Sequence, residues 1–184
     1  METNRGQWLW TIALLLAMGL GGLALFALPR SPADPETIVF VIRHGEKALE
    51  HGKDPPLTAA GEARAQELIH VAREAGISKI YASEFRRTQQ TVQPLAAALG
   101  LPVDTSFIGK DLTVLANDIL TFHLGQSVLV AQHSSTLPQL IALLGGGSIP
   151  PIEEDREFDR LYIVHHRRSG TTITLLRYGA TSLP

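Results

Sequence analysis

The chain has 184 residues, of which 45% are hydrophobic and 18% charged, with a formal net charge of −2 and no cysteine. That length suits one domain of ordinary size after any targeting segment. The missing cysteine excludes disulfides, thiolate metal ligands and a cysteine nucleophile, and the near-neutral charge without a basic stripe argues against nucleic acid as a partner.

Residues 1–7 form a short polar tail. Trp8 to Leu28 then reads WLWTIALLLAMGLGGLALFAL, with no charge in it. Its length matches the ~20 apolar residues that carry a helix across a hydrocarbon core. Trp8 and Trp10 sit at one end, as interfacial anchors do. We expect a single-pass N-terminal transmembrane anchor over residues 8–28, with the following domain outside the cytoplasm. A cleavable signal is the alternative, leading to export: Arg5 would be its basic region, and Ser31-Pro32-Ala33 supplies small residues before Asp34. Residues 29–36, containing three prolines, read as a stiff linker. Residues 37–184 are the domain.

Thr37–Ile42 is a continuous β-rich apolar run and predicts a central strand buried on both faces. A polar loop from His51 to Pro56 follows. Thr58 predicts the N-cap of a helix to about Glu74, ended by Gly76. Lys79–Ala82 predicts a second strand. Ser83 reads as the cap of a helix over Glu84–Leu99, with Glu84 near its positive end. Leu101–Phe107 reads as a third strand, and Asp111 as the cap of a helix to about His123. Ser127–Ala131 is another buried strand, with a helix over Thr136–Leu144 after it. Leu161–His166 and Thr171–Leu176 read as a strand pair at a sheet edge. Strands alternating with helices predict a three-layer α/β sandwich with a mostly parallel central sheet.

Polar residues follow three of these strands, where packing does not call for them. The first delivers Arg43-His44-Gly45-Glu46, the second Ser83-Glu84-Phe85-Arg86-Arg87-Thr88, and the third His133. Ligands bind at the carboxyl ends of strands in open α/β sheets, so two histidines and two arginines are expected to converge. An imidazole beside guanidinium groups suits attack on phosphorus while arginines hold the equatorial oxygens. A carboxylic acid is then wanted to protonate the leaving oxygen.

Four segments together resemble the histidine phosphatase superfamily, the phosphoglycerate-mutase-like proteins. They are Arg43–Glu46, Pro56-Leu57-Thr58-Ala59-Ala60-Gly61-Glu62-Ala63, Ser83-Glu84-Phe85-Arg86-Arg87-Thr88-Gln89-Gln90-Thr91, and Val128-Leu129-Val130-Ala131-Gln132-His133-Ser134. The resemblance spans about Thr37 to Gly179. It implies that His44 is the nucleophile and that Arg43, Arg87 and His133 form the phosphate pocket, with Lys47 a further contact or a plain surface lysine. Two positions depart from the pattern. Gln132 stands where glycine is usual, and Ser134 stands where one branch has its acid. Asp111 is the nearest carboxylate to the other branch's acid position, and a helix cap explains it equally well. Asp104, Glu46 and Glu84 are further candidates.

The bland reading fits the remaining histidines, and the acidic stretch Glu153-Glu154-Asp155 with Asp159 reads as solvated, with the pocket edge as the alternative. No metal site is expected, since no fixed spacing of histidines with carboxylates is evident. No cofactor is expected either, because His44 supplies the covalent chemistry. His133 follows Arg87 by only 46 positions. A mutase needs a lid that keeps water from its phosphoenzyme, and this span has little room for one. The expectation is therefore a phosphatase acting on a phosphomonoester or phosphohistidine, on a small molecule or a phosphoprotein. The alternatives are a non-catalytic, membrane-tethered phosphate-binding domain and a phosphomutase.

Overall fold

A computed structural model describes residues 34–49, 52–107 and 111–182. The apolar run Trp8–Leu28 and His51 lie outside the described residues. Among the described residues, no helix is long and apolar enough to cross a membrane. Residues from Asp34 onward form one compact unit.

The sheet has six strands in the order β3-β2-β4-β1-β5-β6: β1 (Thr37–Arg43), β2 (Ile77–Ala82), β3 (Val103–Asp104), β4 (Ser127–Gln132), β5 (Arg160–Arg167) and β6 (Gly170–Arg177). The first four are parallel; β5 runs antiparallel to β1, and β6 completes the edge hairpin. Strand side chains alternate between faces, and both faces are covered, which explains why the middles of β1 (Ile38–Ile42) and β4 (Val128–Ala131) are apolar without a break. Val39, Val41, Val128 and Val130 pack on one face with Leu115, Ile119, Leu137 and Ile141. Phe40, Ile42, Leu129 and Ala131 pack on the other with Leu68, Val92 and Leu95. The helices behind these contacts are α1 (Ala59–Ala72) and α2 (Arg86–Leu99) on one side, and α3 (Leu112–Phe122) and α4 (Leu137–Ile141) on the other. The three-layer sandwich follows from that alternation.

Thr58 caps α1 as expected, accepting from the Gly61 amide at 3.2 Å. Asp111 caps α3, accepting from the Thr113 amide at 2.9 Å. Three expectations are corrected. The third strand shrinks from Leu101–Phe107 to two residues, because only Val103 and Asp104 find partners, on Ile80 and Tyr81. Ser83 does not cap α2, which begins at Arg86 with no side-chain cap, and Glu84 lies outside the helix. The last helix is regular only to Ile141. It then widens through Ala142–Gly146, where Gly145 adopts φ 86°, a left-handed conformation natural to glycine.

Strand register builds the site. Ala131 pairs with both Ile42 and Ala82, so β1, β4 and β2 end at one level. The next residues of each strand emerge side by side at the carboxyl edge.

Candidate active site

His44 leaves β1 with its amide bonded to the Gln132 carbonyl at 3.0 Å. The turn after it is steric in origin. A Cβ at Gly45 would sit 2.9 Å from the Gly61 carbonyl oxygen, and one at Gly61 would run into the Glu46 backbone. The two glycines therefore let the His44 segment cross the start of α1 in contact. Thr91 of α2 fixes it from the other side, accepting from the Gly45 amide at 2.8 Å.

The His44 ring is 2% exposed. Its Nδ1 lies 2.7 Å from the Gly45 carbonyl oxygen. A carbonyl only accepts, so Nδ1 carries the proton and Nε2 keeps its lone pair. Burial pushes the imidazole down to about 3; the Gly45 bond opposes this, and Arg43, His133 and Arg87 add to it. The ring is thus a neutral imidazole with a fixed tautomer.

His133 stands edge-on to His44, with ring centroids 5.3 Å apart. Its Nε2 is 2.9 Å from Ser83 Oγ, and its Nδ1 is 3.4 Å from an Arg87 terminal nitrogen. This bond is what removes Ser83 from helix capping: its hydroxyl bridges His133 and Thr88 Oγ1, the latter at 2.8 Å. Burial holds His133 down to about 4, with Arg87, Arg43 and Lys47 adding to the effect. Arg87 lies 4.2 Å above the Phe85 ring, and its Nη1 is 3.9 Å from Asp54. Phe85 also meets the His133 ring edge-on at 5.2 Å. One aromatic side chain therefore orients both an arginine and a histidine.

Arg43 is 1% exposed and stacks 4.1 Å from the Phe158 ring. Its terminal nitrogens donate to the carbonyls of Glu153 (3.1 Å), Glu157 (3.0 Å) and Glu154. Burial lowers it to about 10. The side chains of Glu153, Glu154 and Asp155 are exposed as expected, and Asp159 alone departs from the solvated reading. The Glu153–Glu157 turn closes over Arg43 through its backbone, Glu154 pairs with Lys47 at 3.1 Å, and Asp159 is 1% exposed and paired with Arg177 at 2.6 Å. Two buried nitrogens of the site arginines, Arg43 Nε and Arg87 Nε, have no hydrogen-bond partner among the described residues. Unmet donors of this kind are costly unless a ligand satisfies them, and an oxyanion would.

The candidate acids separate. Glu46 accepts from Arg64 Nε and Nη2 at 2.7–3.3 Å, and Arg64 also binds the Tyr178 and Ala180 carbonyls. Burial alone would raise Glu46, but the Arg64 bonds outweigh it and hold it low. Asp104 pairs with Lys79; burial opposes, yet the Lys79 and Ser106 bonds hold it at about 2. Asp111 is exposed, and its bonds from Thr113 lower it. Of the candidates, Glu84 alone lines the cleft beside His133, a cavity of about 220 Å³ bounded by Ser83, Phe85, Phe107, Leu112 and Leu115 among others. Among the described residues no group of histidines and carboxylates could hold a metal ion.

Sequence reasoning overlooked Asp54, which accepts from the Arg86 amide at 2.9 Å, and the carbonyls over Arg43. Asp54 carried a signal, as a lone acid in the loop before Pro55-Pro56. Carbonyls carry none.

Residues 39–106 match a family model described as the histidine phosphatase superfamily, branch 1. A probable phosphoglycerate mutase GpmB of Yersinia enterocolitica is 34% identical over 128 residues, covering 66% of this chain and 58% of the relative. The Enterobacter protein of the same name is 39% identical over 71 residues, covering 35% and 33%. The chain thus spans less than two thirds of these relatives' length. The tungstate complex of the protein histidine phosphatase SixA superposes with a TM-score of 0.61 at 25% identity, covering 78% of this chain and 96% of that one. A putative alpha-ribazole-5'-P phosphatase from Escherichia coli K-12 superposes with a TM-score of 0.58 at 18% identity, covering 80% and 99%, and so shares the fold.

Proposed function

We propose, from the joint support of these matches for the histidine phosphatase superfamily, that the chain is a phosphatase that works through a covalent phosphohistidine on His44. The observation that carries this reading is the His44 ring itself: Nδ1 tied to the Gly45 carbonyl, Nε2 unprotonated, and the Arg43 and Arg87 cations near enough to lower its pKa further. Nε2 attacks phosphorus, forming the P–N bond as the ester P–O bond breaks. The leaving oxygen takes a proton from an acid or from water. Water then attacks phosphorus, the P–N bond breaks, and inorganic phosphate leaves with His44 restored. Nothing in this cycle requires a bound cofactor.

The unpaired Nε–H groups of Arg43 and Arg87 are the donors that would meet the equatorial oxygens as charge builds there. His133 would add a third only once Nδ1 is protonated, because that nitrogen here accepts from Arg87. Lys47, which acts on His133 electrostatically, would join them if its pair with Glu154 opened. Asp111 would act as the acid only by giving up its Thr113 bonds, which favour its carboxylate. Substrates that need little protonation of the leaving group are therefore favoured.

Hydrolysis is favoured over mutase chemistry by the short segment between Arg87 and His133, which adds only β3 and α3 before β4. With no large cover there among the described residues, water would reach the phosphoenzyme. Turnover of phenyl phosphate, lost in His44→Ala, is the test; binding of phosphate without turnover by the wild-type protein would favour the non-catalytic alternative. The run Trp8–Leu28 supports tethering of this domain to a membrane. Retention in the membrane fraction through a high-salt wash is expected, and release would favour cleavage and export.

A further inference from the structure

The cleft beside His133 is not explained by phosphate binding. It is lined by Phe85, Phe107, Leu112 and Leu115, by Glu84 and His133, and by polar residues that include Ser83 and Gln132. Its volume, about 220 Å³, exceeds the ~150 Å³ of an apolar cavity that holds benzene. It falls below the ~300–1,000 Å³ of sites for drug-sized ligands. One aromatic ring with its linking atoms fills it.

Continuity with the phosphate site fixes what enters. Phe85 is both a cleft wall and the ring that packs under Arg87 and against His133. His133 borders both the cleft and His44. In-line attack from His44 expels the leaving oxygen on the far side of phosphorus, so the group attached to it extends past His133. Carbon side chains there reward an apolar group, and the Glu84 carboxylate disfavours an anionic one. A phosphoglycerate, with its own carboxylate, meets both penalties.

We infer that this cleft is the leaving-group site and that it selects small phosphomonoesters whose leaving group is a flat, uncharged, apolar ring. The inference rests on the phosphatase reading and names its substrate class.

The test is a binding comparison on the full chain with two probes that cannot be hydrolysed, benzylphosphonate and methylphosphonate. They share the phosphonate and differ by the ring. The ring should tighten binding about ten-fold or more, the usual scale for apolar groups in a fitted pocket. In Leu112→Asn that preference should collapse toward unity. Equal dissociation constants in the wild-type protein would overturn the inference, as would a preference that survives Leu112→Asn intact. A protein that prefers benzylphosphonate yet fails to turn over phenyl phosphate would overturn the phosphatase reading, and the leaving-group role with it, and leave the cleft only as a site for an aromatic ring; turnover of phenyl phosphate with equal phosphonate affinities would overturn the cleft inference alone, so the two failures are distinguishable.

Discussion

Burial of His44 as a neutral imidazole has a measurable cost in acid. An unfolded histidine titrates near its ordinary value of about 6.5, whereas burial pushes folded His44 down to about 3. Between those values the unfolded chain binds a proton that the folded chain refuses. Stability is therefore full above the unfolded value and falls as the pH drops through this window. Linkage at these two values gives a loss of about 2 kcal/mol between pH 7 and pH 5, and about 3 kcal/mol by pH 4. His133 contributes in the same direction, since burial holds it at about 4. A substitution at His44 alone isolates the first contribution. Urea denaturation of the wild-type protein and of His44→Gln at pH 7 and pH 5 is the assay. The wild-type protein should lose about 2 kcal/mol more than the variant across that interval. Parallel losses would show that His44 titrates normally in the folded state, and the neutral-nucleophile account would fail with it.

Arg64→Met should destabilise the fold by about 1–3 kcal/mol, the cost of leaving the part-buried Glu46 carboxylate and two carbonyls without their donor. Arg64 joins Glu46 to the chain after β6 through side-chain and carbonyl contacts, so a loss under ~1 kcal/mol in urea would refute that role. Arg87→Ala should lower kcat/KM for phenyl phosphate by about two orders of magnitude or more, as removal of an oxyanion contact does; a near-normal rate would misplace the phosphate site. Glu154→Gln should leave stability within about 0.5 kcal/mol, because Glu154 is largely exposed. By releasing Lys47 it should strengthen competitive inhibition by inorganic phosphate about two- to five-fold. An unchanged inhibition constant would show that the Lys47–Glu154 pair does not compete with phosphate.

The parts of the fold legible in sequence are those set by local physics. Val39 to Ile42 could be read as a doubly buried strand because nothing polar interrupts either face, and the two faces do pack on different helix pairs. Thr58 and Asp111 could be read as caps because a cap is decided within three residues. His44 and His133 stood out because a polar residue directly after a buried strand has no packing reason to be there. What escaped was decided across the chain. Ser83 is as good a cap as Thr58 in sequence, but His133, 50 residues away, takes its hydroxyl. The Leu101–Phe107 segment has strand composition, yet pairing on β2 extends over only two of its residues. The acidic turn presents carboxylates in sequence and carbonyls in space, and it is the carbonyls of Glu153, Glu154 and Glu157 that Arg43 meets. Asp111 was ambiguous from the start, and its Thr113 bonds place it as a cap while leaving its proposed chemistry to experiment.

The covalent step on His44 is tested most directly by rapid quenching. The wild-type protein is mixed with a radiolabelled aryl phosphate, quenched within milliseconds, and the protein-bound label is divided between acid and base. A phosphohistidine would be lost in acid and survive base, and it would be absent from His44→Ala. Turnover with no such label, or label that persists in His44→Ala, would contradict His44 as the nucleophile.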